Sequence, residues 1–269
     1  MAKIDPDQIA LAGKQRGRRY FADHTADIIV LKERFLDMLK KDLILRNPLR
    51  LMGHEADDVL QTGQFGAVLA RAGVGKTAFL VQLALNKMLR GNKVLHISLE
   101  DPVNKVNLWY QEVWRHIASE YQSPQAQQLW ESLIPHRFIM TFRVEGFSVP
   151  KLEERLNDLT EQGIFTPRML IIDGLPFDND SADDTLEAFG RLASDRGLHA
   201  WFTMLTHRHE TPGPGGIPQQ LQRVDHRFNV AIQLLPREQH IEILPLKGGP
   251  TDPPQLFLDP TTMLIQPGG

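Results

Sequence analysis

The chain has 269 residues, 42% of them hydrophobic and 23% charged, which is enough for one substantial core or two small ones. Thirty Lys and Arg against 33 Asp and Glu leave a net charge of −3, which excludes a strongly basic nucleic-acid coat but not a local basic patch. With no cysteine, disulfides, thiolate metal sites and cysteine nucleophiles are excluded together, and the composition fits a reducing cytoplasm. Apolar runs are broken within a few residues by Arg, Lys, Gln or Asp, so no membrane span is expected. The charged opening, Met1-Ala-Lys-Ile-Asp-Pro-Asp, is unlike a signal peptide.

Lys14, Arg16, Arg18 and Arg19 form a short basic run. Ile28, Leu31, Phe35, Leu39 and Leu43 then recur at three- and four-residue steps, predicting one amphipathic helix that ends before Pro48. Such a stripe must dock on its own domain or on a neighbouring subunit. Residues 1–50 are therefore read as a basic segment with a linker or oligomer-contact helix, and 51–269 as the main domain.

From residue 65 onward, strands and helices alternate. Strands are expected at Phe65–Ala70, Lys93–Leu99, Phe138–Phe142, Met169–Ile172 and Ala200–Thr206. Helices are expected at Lys76–Leu89, Val103–Tyr121, Gln125–Leu133, Val149–Gln162 and Asp184–Ser194. Val230–Leu235 and Ile241–Leu246 read as a β-hairpin turned by Pro236-Arg-Glu-Gln. The fold class is α/β, a mainly parallel sheet flanked by helices.

Ala70-Arg-Ala-Gly73-Val-Gly75-Lys76-Thr77 lies between a strand and a helix, a Walker A loop with Ala in place of its first glycine. Successive backbone N–H groups at a helix N-terminus wrap polyphosphate, and glycine permits the close approach. Ala72, Gly73, Val74, Gly75, Lys76, Thr77 and Ala78 are the candidate nucleotide-binding residues. Lys76 would reach the β- and γ-phosphates and Thr77 would hold Mg²⁺. Glu100 closes the next strand, where a carboxylate can polarise an attacking water, and is the candidate general base. Asp173 ends Met169-Leu-Ile-Ile-Asp173 in the Walker B manner and is the second metal-holding residue. His207, just past Ala200–Thr206, is the candidate γ-phosphate sensor.

These motifs resemble the RecA-like ATPases, in the branch that holds DnaB- and RepA-type hexameric helicases and KaiC-like proteins. The likeness runs from about residue 50 to 265. It is carried by Asp58-Val-Leu-Gln-Thr-Gly63, Gly75-Lys-Thr-Ala-Phe-Leu-Val-Gln-Leu-Ala84 and Val94-Leu-His-Ile-Ser-Leu-Glu-Asp101. In the family the glutamate at position 100 is the catalytic base. Leu246-Lys247-Gly-Gly-Pro250-Thr251 and Leu256-Phe-Leu258 resemble its closing strands. There the family has a Lys-x-Arg pair that reaches a neighbour's ATP site, and this chain has Pro245 and Lys247. Lys247 keeps the charge but not the fork of an arginine.

The resemblance implies ATP and Mg²⁺ as cofactors and a homo-oligomer, either a hexameric ring or a filament. Asp178, Asp180, Asp183, Asp184 and Glu187 fall in Gly174–Gly190, and Glu210–Gln222 has no Lys or Arg. Both segments are poor partners for DNA phosphates. An oligomeric ATPase acting as a switch or assembly motor, with a protein partner, is the leading expectation. A helicase or loader and a nucleotide-binding scaffold are the alternatives.

Overall fold

Continuous aliphatic runs bounded by Gly, Pro and charge become buried strands, and the stripes between them become covering helices. The computed structural model describes residues 33–45, 50, 59–121, 124–207, 213, 216–250 and 252–268. The basic run, Ile28, Leu31 and His209 lie outside the described residues.

In chain order the elements are helix α1 (33–45), strand β1 (Phe65–Ala70), helix α2 (Lys76–Leu89) and β2 (Val94–Ser98). Helices α3 (Val103–Ile117) and α4 (Pro124–Leu133) come before β3 (Arg137–Thr141), α5 (Val149–Glu161) and β4 (Met169–Asp173). Then follow α6 (Ala182–Arg196), β5 (His199–Leu205) and the short α7 (Gln219–Gln222). Four strands close the chain: β6 (Val230–Pro236), β7 (Ile241–Lys247), β8 (Leu256–Leu258) and β9 (Ile265–Pro267).

They form one nine-stranded sheet in the order β3-β2-β4-β5-β1-β6-β7-β8-β9. The first six in that order run parallel and the last three join antiparallel. Side chains alternate across the sheet, so one face is covered by α1–α4 and the other by α5 and α6.

Helix α2 is buried nearly all round, from Ala78 to Leu89, because the sheet, α3, α4, α1 and the β8–β9 turn enclose it. Two of its buried polar residues hold the enclosing elements. Gln82 donates to the Met263 carbonyl (2.8 Å) and accepts from the Ile265 amide (3.1 Å), while Asn86 donates to the Ile44 carbonyl (3.2 Å). Helix α1 seats Leu39 and Leu43 in the core of its own chain.

The helix expected over Val103–Tyr121 stops at Ile117, and a 3₁₀ turn covers Ser119–Tyr121. The Ser119 hydroxyl donates back to the His116 carbonyl (2.7 Å), satisfying a group at the helix end. Tyr121 then turns in to meet Asp42 of α1. Other boundaries shift by one or two residues.

Candidate active site

All the parallel strands present their C-terminal ends at the same edge, so the loops after β1, β2, β4 and β5 meet there. They enclose a cleft of about 450 Å³ lined by Ala72, Gly73, Gly75, Lys76, Thr77, Glu100, Asp173 and Thr203, among others.

The loop from β1 to α2 turns through Gly73 (φ 75°) and Gly75 (φ 110°), a left-handed region that L side chains avoid. A Cβ on Gly75 would also lie 2.9 Å from Leu258 and 3.2 Å from Met263, so the strand β8 and the turn after it form the loop's back wall. No side chain caps α2, which leaves its first-turn N–H groups aimed out of the helix end. Val74 and Ala78 bury their side chains in the core and can offer only backbone to a ligand. The Lys76 ammonium donates to the carbonyls of Ala70 (3.1 Å) and Arg71 (3.2 Å). Burial lowers the Lys76 pKa, while Asp173 and Glu100 oppose that fall.

Asp173 is the hub. Thr77 donates to its Oδ2 at 2.7 Å and Thr203 to its Oδ1 at 2.8 Å, and the Thr203 hydroxyl accepts from the Gly174 amide at 2.9 Å. His96 Nε2 lies 3.9 Å from Oδ2. Burial pushes the Asp173 carboxyl up, but His96, Thr77 and Thr203 outweigh it and hold the group below the usual carboxylate range. A hydroxyl and a carboxylate in contact are hard oxygen donors suited to Mg²⁺ shared with phosphate. Neither Thr203 nor His96 stands out in the sequence. Each is a single polar residue in an apolar strand, recognisable only once the parallel register sets β5 and β2 on either side of β4.

Glu100 stands exposed on the bend after β2. It faces Gly174 (φ 91°), where a Cβ would come within 2.7 Å of the Glu100 Cγ. Beside it Asp101 accepts from Lys105 (2.8 Å) and its amide donates to Ser98 (2.9 Å), which fixes the bend.

No family model matches the chain, and no curated protein matches it either. Solved structures do, 517 chains in all, so the architecture is widespread. One of them, the ATPase domain of a DnaB-like helicase, superposes with a TM-score of 0.57 at 17% identity, over 78% of this chain and 86% of that one. The fold is RecA-like.

Within this RecA-like core, Lys76, Thr77, Glu100 and Asp173 converge on the cleft, and two predicted residues lie apart from it. His207 lines a shallow neighbouring depression with Arg71, Val74 and Pro236. It bonds Asp178 Oδ2 at 3.1 Å, and Asp178 lines the cleft. Lys247, at the end of β7, donates to the Asp225 carbonyl (2.7 Å) and carboxylate (3.0 Å) of its own chain.

The acidic stretch after β4 is less open than its composition implies. Asp183, Asp184 and Glu187 lie on α6, where Arg227 forks onto Asp183 (2.8 and 2.7 Å) and reaches Glu187 (3.0 Å). His226 also meets Asp183 and Arg191 meets Glu187. Forty-four residues separate Arg227 from Asp183, so local charge counting overstates the field at this surface.

Proposed function

We propose that this chain is an Mg²⁺-dependent ATP-binding and ATP-hydrolysing enzyme that works in a homo-oligomer, in the cytoplasm, as a nucleotide switch or assembly motor. The carrying observation is the convergence of Lys76, Thr77, Glu100 and Asp173, from three separate loop-and-strand units, on one cleft beside a glycine-shaped phosphate loop.

Backbone N–H groups from Ala72 to Ala78 wrap the phosphates. Lys76 exchanges the Ala70 and Arg71 carbonyls for β- and γ-oxygens. Thr77 and Asp173 hold Mg²⁺, which supplies neutralisation of phosphate charge when bound. Glu100 orients a water and takes its proton as the water oxygen bonds to the γ-phosphorus. The bond from that phosphorus to the bridging oxygen breaks, giving ADP and phosphate. A positioned base of this kind contributes roughly 10²–10⁴ in rate. His207 acts through Asp178 rather than on phosphate directly. Lys247, released from Asp225, completes a neighbour's site.

Residues 1–50 serve as the oligomer-contact segment and 51–269 as the ATPase domain. In support, α1 leaves Met38 and Leu45 more than half exposed while Leu39 and Leu43 are buried. That exposed pair is the apolar surface offered to an adjacent subunit and, with it, to a protein partner.

The test is Mg²⁺-ATP hydrolysis across a protein dilution series, with wild type beside Glu100→Gln. Specific activity that rises with protein concentration and is lost in the variant is expected. Negligible turnover in both, with ADP still bound, would replace the enzyme by a nucleotide-binding scaffold. Strong stimulation by single-stranded DNA at moderate salt would instead favour a helicase or loader.

A further inference from the structure

His96 sits mid-strand in β2 with no solvent exposure, in register with Ile139 on β3 and Ile171 on β4. An imidazole buried among aliphatic neighbours costs on the order of 1–3 kcal/mol for each polar atom left unpaired. An apolar residue would fill this place in the strand without that cost.

The ring has one satisfied end and one directed end. Nδ1 lies 3.2 Å from the Tyr110 hydroxyl, and Tyr110 is itself fully buried on α3. Nε2 has no hydrogen-bond partner and is aimed at Asp173 Oδ2, 3.9 Å away. Ser98 and Asp173 are register partners, as are His96 and Ile171. The imidazole therefore sits one pleat behind Asp173 on the same face of the sheet.

Tyr110 fixes the proton arrangement. Burial pushes its hydroxyl pKa up, so it stays protonated. Arg137 stacks over the Tyr110 ring at 4.4 Å and donates to Asn107 (2.6 Å), which locks the ring in place. If Tyr110 donates to Nδ1, Nε2 carries the hydrogen and presents it to the carboxylate. The opposite tautomer would set a lone pair against Asp173. A carboxylate that holds a metal by one oxygen is aimed by what touches it from behind, and losing such a partner costs ten- to a hundredfold in metal affinity.

We propose that His96, in its Nε2–H form set by Tyr110, is a positioning residue that holds the Asp173 carboxylate for Mg²⁺. This rests on the reading of Thr77 and Asp173 as the metal-holding pair. It extends the site inward through β2 to α3, a connection that leaves no trace in the Walker motifs.

The test uses the full chain with His96→Ala, His96→Gln and Tyr110→Phe. Binding of a fluorescent ADP analogue is titrated with Mg²⁺ and repeated in EDTA, and thermal midpoints are recorded. His96→Ala should raise the half-saturating Mg²⁺ concentration about tenfold while affinity in EDTA stays within about twofold. His96→Gln, whose amide can still donate, should recover most of the loss, and Tyr110→Phe should fall between. An unchanged Mg²⁺ requirement in folded His96→Ala overturns the proposal, as does an equal loss with and without Mg²⁺. If His96→Ala does not fold, the Gln and Phe variants decide on the same criterion. A ¹⁵N long-range correlation spectrum of the wild-type imidazole should show the neutral Nε2–H form, and an Nδ1–H form would overturn the proposal without reference to nucleotide. Wild type that binds no ADP would instead sink the functional reading on which it rests.

Discussion

Glu100 and Gly174 meet across the open edge of the sheet, the side chain of one filling the space that a Cβ on the other would need. Gly174→Ala would put that Cβ 2.7 Å from the Glu100 Cγ and strain a backbone at φ 91°. Turnover should fall about tenfold or more, because small displacements of a reacting group are costly. ADP affinity should hold within about threefold. Equal hydrolysis by Gly174→Ala and wild type would show that Glu100 does not need this seat.

Glu100→Gln keeps shape and hydrogen bonding but cannot accept the proton. We expect hydrolysis to drop by roughly 10²–10⁴ while ATP still binds. Single-turnover assays separate the two quantities, and a variant with wild-type turnover would remove Glu100 from the chemistry.

Lys247 gives up two contacts with Asp225 if it serves a neighbour. The pair is partly exposed, so Asp225→Ala should cost less than about 1 kcal/mol of stability. Hydrolysis should rise with the lysine freed, and Lys247→Ala should reduce it most at high protein concentration. Urea denaturation and a dilution series of rates check both. A Lys247→Ala protein with unaltered concentration dependence would leave the residue a purely local role.

The Asp173 carboxyl is depressed in the folded chain, so its contribution to stability is present above the ordinary unfolded value of about 3.9 and is lost as pH falls through the folded value. Urea midpoints of wild type and Asp173→Asn without nucleotide should differ by a constant amount at neutral pH. The difference should shrink below about pH 4. A gap that widened on acidification would reverse the assigned direction.

Gln82 uses both ends of its amide to hold the β8–β9 turn. Gln82→Ala should cost about 1–3 kcal/mol by orphaning buried groups and weaken ATP binding as the wall behind Gly75 loosens. Calorimetry and nucleotide titration report the two effects separately.

The phosphate loop and the acid-ended strand were legible because each is a local pattern: glycines at fixed offsets before a helix, an apolar run closed by Asp. Strand β9 was not, since Ile265–Pro267 is three residues long and gains its stability from pairing with β8. Thr203 and His96 were hidden for a related reason, their roles being set by which strands become neighbours. His207 and Lys247 carried the right chemistry for their expected roles, but Asp178 and Asp225 hold them back from the cleft. These long-range pairings leave no mark on neighbouring residues.

The back wall of the phosphate loop carries one more implication. Gly75 rests against Leu258 and Met263, and Gln82 bonds residues 181 and 183 positions further along. A chain emerging from the ribosome therefore exposes its glycine loop early and acquires the support for it only when synthesis is nearly finished. Until then nucleotide has no finished seat, and a nascent chain stalled before Leu256 would lack both β8 and the clamp. Competence to bind ATP is thus a late event in the life of each molecule, arriving together with the last strands of its sheet.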